Sequence, residues 1–387
     1  MPRARDSDAA AGRTGSSPLR VLMVTPLYLP EIGGVERHVH EVATRLAAAG
    51  VEVTVLTTDR TARRASVARE GAVTVRRVPA YPRRRDWLFA PAIAAEVARA
   101  DCDLVHVQSY HTFVAPLAMA AAARRRIPYV VTFHGGGHSQ RLRERLRRIQ
   151  RRALRPLLVR AAALVAVAPF EITDYSAELR IPATRFTLIP NGVDLVASAP
   201  ARGRDGAPGG GHPLIASVGR LERYKGHQRV IAALPHVLAS EPDARLWIAG
   251  SGPYEAELRR LVSNLGLADN VEISAVPAAD RAEMARRLSE VDLVVLLSEF
   301  ESHPIAALEA ISAGRPLLVG SGSGLGDLAT QGLARAIDPQ AAPADAAAAM
   351  LRELRDPLPR PPVVLPSWDD CALGLLKLYR RVVWSGR

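Results

Sequence analysis

Lysine is nearly absent from this chain of 387 residues. Lys225 and Lys377 are its only lysines, against 49 arginines. An ammonium is a compact point charge and a guanidinium is a planar fork, so the two groups bind anions differently. A lysine in a chain that otherwise uses arginine therefore indicates a place where the point charge is preferred. Lys225, which lies in a loop flanked by glycines, is a candidate functional cation.

Cysteine and long apolar runs are also scarce. Two cysteines, Cys102 and Cys371, are too few for a disulfide framework and fit a reducing compartment. No uninterrupted apolar run approaches the roughly 18 residues that a membrane span needs. Residues 1–17 lack the apolar segment of a signal peptide, and their composition predicts a disordered tail. We therefore expect a cytoplasmic protein, either free or peripheral on the inner face of the membrane.

Basic residues outnumber acidic ones and give a formal net charge of +12. Because basic surfaces attract phosphate backbones, nucleic-acid binding is one hypothesis. The densest basic cluster, 141–160, instead predicts an amphipathic helix, and no nucleic-acid motif accompanies it. This helix is either a solvated face or a surface for anionic lipid or an anionic acceptor molecule. We expect no nucleic acid as a partner.

Apolar residues make up 48% of the chain, whose length suffices for two domains with separate cores. Short apolar runs typical of buried strands alternate with helical periodicity in both halves. In the first half these runs fall at 20–25, 51–57, 72–78, 103–108 and 129–133. A tract rich in proline and glycine lies at 197–213. The sequence predicts an α/β protein with two doubly wound parallel sheets, in domains at 18–195 and 214–366 joined by a linker at 196–213.

Two glutamates lie eight residues apart near the carboxyl end of the apolar strand 292–297. We place Glu301 in the loop after that strand and Glu309 two turns into the next helix. Open α/β sheets bind ligands at such strand ends. A helix that begins near Pro304 would point free N–H groups at the loop, where they could receive a diphosphate. Considered alone, the two acids are more simply interpreted as ordinary solvated side chains.

Cations and glycines follow other predicted strands at the same kind of position. Arg220 and Lys225 lie five residues apart in the strand-to-helix loop 219–226, a spacing that suits a diphosphate clamp or two solvated cations. The Gly33-Gly34 pair at a helix start lets a ligand approach backbone N–H groups, although it lacks the dinucleotide spacing. His134 ends the strand 129–133 and precedes three glycines, which makes it a functional candidate. The glycine cluster 320–326 either flanks a ligand or forms a flexible loop.

Together these motifs resemble the family 4 glycosyltransferases of the GT-B type, also called glycosyl transferases group 1. The resemblance extends over 20–384 and rests on the glutamate pair, the G-R-L and K-G loop, the glycine pair and the I-P-N-G-V-D run at 189–194. It implies two Rossmann-like domains that face each other across a cleft, with an N-terminal acceptor domain and a C-terminal donor domain. It also implies a final helix, 367–387, that crosses back to the first domain.

The resemblance further implies an activity and a role for each motif. The family transfers a sugar from a nucleotide diphosphate donor, here a UDP- or GDP-sugar, with retention and without a metal or other cofactor. Glu301 and His134 (within a T-x-H pattern that includes Thr132) would contact the sugar or acceptor as catalytic residues. The donor-binding positions would be Gly33, Gly34, Arg220, Lys225, Gly250, Val276 (beside the base), His303, Pro304, Ile305, Ala306 and Glu309 (on the ribose hydroxyls).

One departure from the family concerns the phosphate contacts. Many relatives have Phe-Gly where this chain has His303-Pro304. Pro304 cannot donate a backbone N–H. Either the His303 imidazole replaces that donor, or the anion rests on the amides of Ile305 and Ala306.

The acceptor remains open between two kinds of hydroxyl compound. The basic helix favours a lipid-linked or cell-surface saccharide intermediate of polysaccharide biosynthesis, and the alternative is a soluble natural product. A sugar-nucleotide epimerase or a phosphorylase of the same architecture is the alternative of another class, and an epimerase would need no acceptor. A basic scaffold or nucleic-acid-binding protein ranks last, because it leaves the glutamate pair and the cation loop unexplained.

Overall fold

The computed structural model describes residues 18–31, 33–61, 65–81, 88–110, 112–135, 141–193, 212–277, 280–359 and 361–384, with the backbone alone at 141–148. The predicted tail and nearly all of the predicted linker therefore lie outside the described residues. Within them, no helix combines the length and the apolar character that crossing a membrane requires.

The first sheet has eight strands in the order β3-β4-β2-β1-β5-β6-β7-β8. Their bounds are β1 (Arg20–Val24), β2 (Glu52–Asp59), β3 (Ser66–Glu70), β4 (Val73–Pro79), β5 (Leu104–Gln108), β6 (Tyr129–Thr132), β7 (Ala163–Ala166) and β8 (Phe186–Leu188). Neighbouring strands pair in parallel, except that the edge strand β3 is antiparallel to β4. The strand order reverses between β1 and β5, and such a switch point opens a crevice at the carboxyl ends of the strands.

Helices cover both faces of this sheet. They are α1 (Gly34–Ala48), α2 (Ala92–Arg99), α3 (Val114–Arg124), α4 (Arg141–Arg160) and α5 (Pro169–Leu179). Alternate residues of β1 enter different cores: Leu22 packs with α2 to α5, whereas Met23 packs with α1. A strand covered on both faces must be apolar at every position, which explains the continuous apolar run in the sequence.

The second sheet has six parallel strands in the order β11-β10-β9-β12-β13-β14. Their bounds are β9 (Leu214–Val218), β10 (Arg245–Ala249), β11 (Val271–Ser274), β12 (Leu293–Leu296), β13 (Leu317–Gly320) and β14 (Arg335–Ile337). The helices are α6 (His227–Leu238), α7 (Glu255–Asn264), α8 (Arg281–Glu290), α9 (Ile305–Ser312), α10 (Ser323–Thr330) and α11 (Pro343–Arg355). The order reverses between β9 and β12, which again places a crevice at the carboxyl ends.

The last helix, α12 (Trp368–Trp384), returns to the first half of the chain. Trp368, Leu375 and Tyr379 are fully buried in the same apolar cluster as Val39 and Val42 of α1. At the other end of the helix, Trp384 is exposed. Burial of three large side chains against α1 attaches the C-terminal segment to the first sheet, as predicted.

Candidate active site

The carboxyl ends of the two sheets meet along one cleft, because side chains from both halves touch there. Arg37 of α1 pairs with Glu309 of α9. The amide of Asn191 donates to the backbone carbonyl of His303 at 3.3 Å. These contacts bring the loops after β12 and the start of α1 into one site.

A buried ion pair lies at the centre of this cleft. The Lys225 Nζ donates to Glu301 Oε1 at 2.5 Å, and the Ser298 hydroxyl donates to the same oxygen at 2.9 Å. Both ionic side chains are less than one fifth exposed. Burial lowers the pKa of Lys225, but the Glu301 carboxylate and the Tyr224 hydroxyl raise it, and the net shift is upward. Lys225 is therefore a fixed positive charge at neutral pH.

The loop that carries Glu301 is held by the glycine cluster 320–326, for which the sequence alone did not decide between a ligand-flanking segment and a flexible loop. The Glu301 amide donates to the Ser323 hydroxyl at 2.8 Å, and the Gly324 amide donates to the Glu301 carbonyl at 2.9 Å. A Cβ atom at Gly324 would lie 2.0 Å from the carbonyl oxygen of Ser302. Only glycine permits this approach, so the stretch 320–326 supports the Glu301 loop by close packing.

Arg220 begins the same loop as Lys225 and lies nearer to solvent. Its side chain is 42% exposed and pairs with Glu222 at 3.4 Å. Its charge lowers the pKa of Glu36 of α1, although burial, the larger effect, raises that pKa overall. Arg220 thus acts electrostatically across the cleft, on a residue of the first half of the chain.

The predicted glycines have different surroundings. Gly33 precedes α1, and a Cβ atom there would lie 2.2 Å from the Glu36 carboxylate, whereas Gly34 faces open space. The Gly250 amide donates to the Ser274 carbonyl at 3.0 Å, and a Cβ at Gly250 would lie 1.9 Å from the Gly219 carbonyl. Gly250 therefore permits close packing of two backbone segments, while Gly34 leaves room beside the helix start.

His134 has a left-handed backbone conformation, with φ of 48°. Its Nε2 lies 2.7 Å from Gln108 Oε1, and its ring meets the His38 ring edge-on at 4.4 Å. An amide oxygen only accepts hydrogen bonds, so Nε2 carries the proton in this arrangement. Gln108 thereby sets the tautomer of His134 and the direction of its ring.

A buried polar chain extends from this histidine to the last helix. The Gln108 amide approaches His106 Nδ1 at 3.1 Å, and Tyr379 of α12 approaches the same nitrogen at 2.5 Å. Thr132 is fully buried and bonds His106 Nε2 at 2.7 Å, so its hydroxyl supports this chain. Burial lowers the pKa of His106 to about 3, which keeps the ring neutral.

Glu309 lies one turn into α9, not two as predicted, because the helix starts at Ile305. Its Oε1 accepts from Arg37 of α1 and from Arg281 of α8. Two arginines from different helices thus hold the Glu309 carboxylate, and Arg37 also pairs with Glu41 of α1 at 3.8 Å. Sequence reasoning missed both arginines.

The start of α9 carries the predicted phosphate-binding positions. Pro304 is the N-cap, and the amides of Ile305 and Ala306 begin the helix, where no carbonyl of the preceding turn is available to them. Burial lowers the pKa of His303 to about 4, and its Nδ1 has no partner among the described residues. A neutral imidazole nitrogen and two helix-start amides therefore follow Glu301 within five residues of the chain. Val276 packs on the apolar cluster that includes Leu308 of α9.

A candidate metal centre is not part of this arrangement. No group of three or more histidine, cysteine, aspartate or glutamate side chains among the described residues could hold a metal ion.

Comparison with known proteins covers nearly the whole chain. Residues 32–196 match the model of Glycosyltransferase Family 4, and 204–362 match that of Glycosyl transferases group 1. The chain is 31% identical over 350 residues to a glycogen synthase of Mycobacterium tuberculosis, covering 81% of each. It is 29% identical over 304 residues to the GDP-mannose:cellobiosyl-diphosphopolyprenol alpha-mannosyltransferase of Xanthomonas campestris, covering 76% of this chain and 77% of that one.

A solved structure agrees with the architecture. Sucrose-phosphate synthase of Thermosynechococcus elongatus superposes with a TM-score of 0.74 at 21% identity, covering 95% of this chain and 100% of that one. The two facing domains and the returning helix predicted from the sequence are confirmed.

Proposed function

This chain belongs to the family 4 glycosyltransferases of GT-B fold, and from that premise we propose that it transfers a sugar, with retention, from a UDP- or GDP-sugar to a hydroxyl of a lipid-linked saccharide. The observation that carries the proposal is the buried Lys225–Glu301 pair, which joins the loop of Arg220 to the loop that precedes α9. It provides positive charge where a diphosphate would leave and a carboxylate where a sugar would lie.

The largest change of charge in this reaction occurs on the departing diphosphate. As the bond between the anomeric carbon and the phosphate oxygen breaks, its electron pair leaves with the diphosphate. Lys225, Arg220 and the helix-start amides of Ile305 and Ala306 would stabilise that charge, because fixed donors are worth most where charge develops. The ring gains oxocarbenium character, and Glu301 would hold the sugar hydroxyls and stabilise that positive charge.

Retention follows if the acceptor attacks from the face that the diphosphate leaves. The acceptor oxygen then bonds to the anomeric carbon, and its proton passes to the departing phosphate oxygen. His134, oriented by Gln108, would direct the sugar or the acceptor. Glu309 would exchange an arginine contact for the ribose hydroxyls when the donor binds. In this scheme the chain supplies no covalent nucleophile.

A donor panel tests the proposal directly. A ligand that binds only the folded state at a hundredfold excess over its Kd stabilises that state by about 2.7 kcal/mol. For domains of this size we expect the matching nucleotide sugar to raise Tm by about 5–10 °C. UDP-glucose, UDP-galactose, GDP-mannose and ADP-glucose would be compared, each with and without EDTA, and the shift is expected to survive the chelator.

Product analysis with the same donor panel separates the alternatives. Release of nucleoside diphosphate with a saccharide acceptor supports transfer, and conversion of the nucleotide sugar without an acceptor would indicate the epimerase. Binding of polyanions without any response to nucleotide sugars would contradict the proposal altogether.

A lipid-linked acceptor is favoured over a soluble one by the surface of α4. Ile149 is 65% exposed and Val159 is 40% exposed, and Arg152 and Arg160 are exposed on the same helix. Exposed apolar residues among arginines are typical of a helix that lies on an anionic membrane. The name of the Xanthomonas campestris relative includes a diphosphopolyprenol acceptor, which also supports this choice.

Reversal of the charge on α4 is expected to weaken binding to phosphatidylglycerol vesicles. Each arginine near an anionic surface contributes about 1 kcal/mol, so the Arg152→Glu and Arg160→Glu double variant should bind about 30-fold more weakly or worse. The matched control carries Arg124→Glu and Arg125→Glu at the exposed end of α3, with the same change in net charge. Cosedimentation measures both, and equal losses would show that only total charge matters.

A further inference from the structure

One buried carboxylate lies where the His134 turn meets the Glu301 loop. Glu171, the third residue of α5, has no exposed surface. Its Oε1 accepts the Gly135 amide at 2.7 Å, and its Oε2 accepts the Val167 amide at 2.9 Å. Building on the proposed function, we propose that Glu171 is a positioning residue that holds the His134 turn against the Glu301 loop.

Helix capping explains only half of this arrangement. A glutamate at the third helical position commonly reaches back to the N-cap amide; here the N-cap is Ala168, and Oε2 reaches one residue further back, to the amide of Val167. The other oxygen reaches a different element, the turn after β6, 36 residues away in the sequence. That second bond adds nothing to the cap of α5, and it fixes a residue next to the proposed catalytic histidine.

The Gly135 amide is part of the peptide plane that follows His134. Because His134 has a positive φ of 48°, its backbone conformation is uncommon and needs external support. The Glu171 carboxylate fixes this peptide plane on one side, and Gln108 fixes the ring on the other. Loss of the carboxylate would therefore release the backbone of His134 without removing its side chain.

The Glu301 loop of the second lobe packs against the His134 turn. A Cβ atom at Gly135 would lie 1.8 Å from the Ser302 hydroxyl and 2.9 Å from the Phe300 ring. Phe300 also meets Phe170, the neighbour of Glu171, edge-on at 5.9 Å. Phe300 and Ser302 are the two residues that flank Glu301 in the sequence. The start of α5, the His134 turn and the Glu301 loop thus form one packed junction with the Glu171 carboxylate inside it.

The charge state of Glu171 determines whether both amides can be held. Burial raises its pKa to about 7, against the lowering effects of the Val167 amide, the Ser302 hydroxyl and the Gly135 amide, and Asp174 raises it further. Among the described residues, the other charged or titratable groups at the junction are Tyr175 of α5, His134 on the turn, Asp327 of α10, which accepts the Phe170 amide, and the Lys225–Glu301 pair. Since the neutral acid has one acceptor oxygen fewer, turnover should fall as the pH drops through 7.

Stability is expected to move in the opposite direction. A carboxyl group with a raised pKa favours the folded state most when it is protonated, below its unfolded pKa, and this stabilisation is lost as the pH rises through 7. Wild-type protein should therefore become more active and slightly less stable relative to the Glu171→Gln variant between pH 6 and pH 8. A residue with a merely structural role would change activity and stability in parallel.

The experiment compares kcat and donor KM of wild type, Glu171→Gln and Glu171→Asp from pH 6 to pH 8, using whichever sugar of the nucleotide panel is turned over. We expect Glu171→Gln to lower kcat at pH 8 by about 10-fold or more, as for loss of a bond to a charged group. Donor KM should change less than about twofold and the loss of turnover below pH 7 should vanish. Glu171→Asp should retain that acid limb at reduced kcat.

Asp174→Asn is the matched control, because it removes a carboxylate from the exposed side of the same helix. It should keep the wild-type kcat at pH 8, and because Asp174 raises the pKa of Glu171, its loss of turnover in acid should begin at a slightly lower pH than in wild type. If Glu171→Gln fails to fold, Glu171→Asp and the wild-type profile decide the question. A kcat that is independent of pH in wild type, or equal in wild type and Glu171→Gln, would overturn the inference. Absence of turnover in wild type with every donor would instead refute the proposed function.

Discussion

Replacement of Lys225 by alanine is expected to lower kcat/KM by about a thousandfold, the upper range for loss of one donor to a developing negative charge. Two effects add up. The departing diphosphate loses a fixed cation, and the Glu301 carboxylate stays in a site less than one fifth exposed, where among the described residues the Ser298 hydroxyl still donates to it. The measurement is the initial rate of nucleotide release with the active donor, together with Tm.

The chain offers a matched control in its other lysine. Lys377 lies exposed on α12, and Lys377→Ala should have wild-type kinetics. Lys225→Arg separates charge from shape: the guanidinium fork keeps the charge but cannot place it as a point against Glu301, so intermediate activity is expected. If Lys225→Ala retained a tenth of the wild-type kcat/KM, Lys225 would not be the cation of the diphosphate site.

The charged side chains in the cleft form ion pairs with each other. Lys225 holds Glu301, and Arg37 and Arg281 hold Glu309. Buried charges without partners are costly, so each group is stabilised by a partner that a donor could later replace with phosphate or ribose oxygens. One of these pairs, Arg37–Glu309, also joins the two lobes, since its members lie on opposite sides of the cleft. Donor binding and lobe arrangement are therefore coupled through these side chains.

The sequence predicted those features whose signal is local. Strands that are buried on both faces must be apolar throughout, so β1 and β12 stand out as continuous runs. Loops at the carboxyl ends of such strands then identify Arg220, Lys225 and Glu301. By contrast, β3 was not predicted, because Ser66–Glu70 is an exposed edge strand without an apolar face.

Features that depend on distant partners carried no local signal. Arg37 and Glu309 are 272 residues apart, and Tyr379 and His106 are 273 apart. In a chain with 49 arginines nothing distinguishes Arg37 from the others before the fold places it. Glu171 looks like an ordinary helix-start glutamate, and its contact with Gly135 follows only from the packing of α5 against the β6 turn.

Substitution of Glu301 by glutamine is expected to lower kcat by about 100- to 1000-fold, because a neutral amide cannot stabilise positive charge on the sugar ring. The variant also changes Lys225. In wild type the Glu301 carboxylate opposes the lowering effect of burial and the pKa of Lys225 is raised. With glutamine that opposition is gone, so the pKa falls, and the loss of turnover at alkaline pH should begin at a lower pH than in wild type.

Glu299→Gln is the control for this substitution, since Glu299 lies two residues away and pairs with Arg229 outside the cleft centre; its kinetics should stay close to wild type. A double-mutant cycle with Lys225→Ala then assigns the role of Glu301. If Glu301 acts only by holding Lys225, the double variant will be no slower than Lys225→Ala. A further loss of about tenfold or more in the double variant would show a separate interaction with the sugar. An unchanged alkaline limb in Glu301→Gln would show that the ion pair does not control the charge of Lys225.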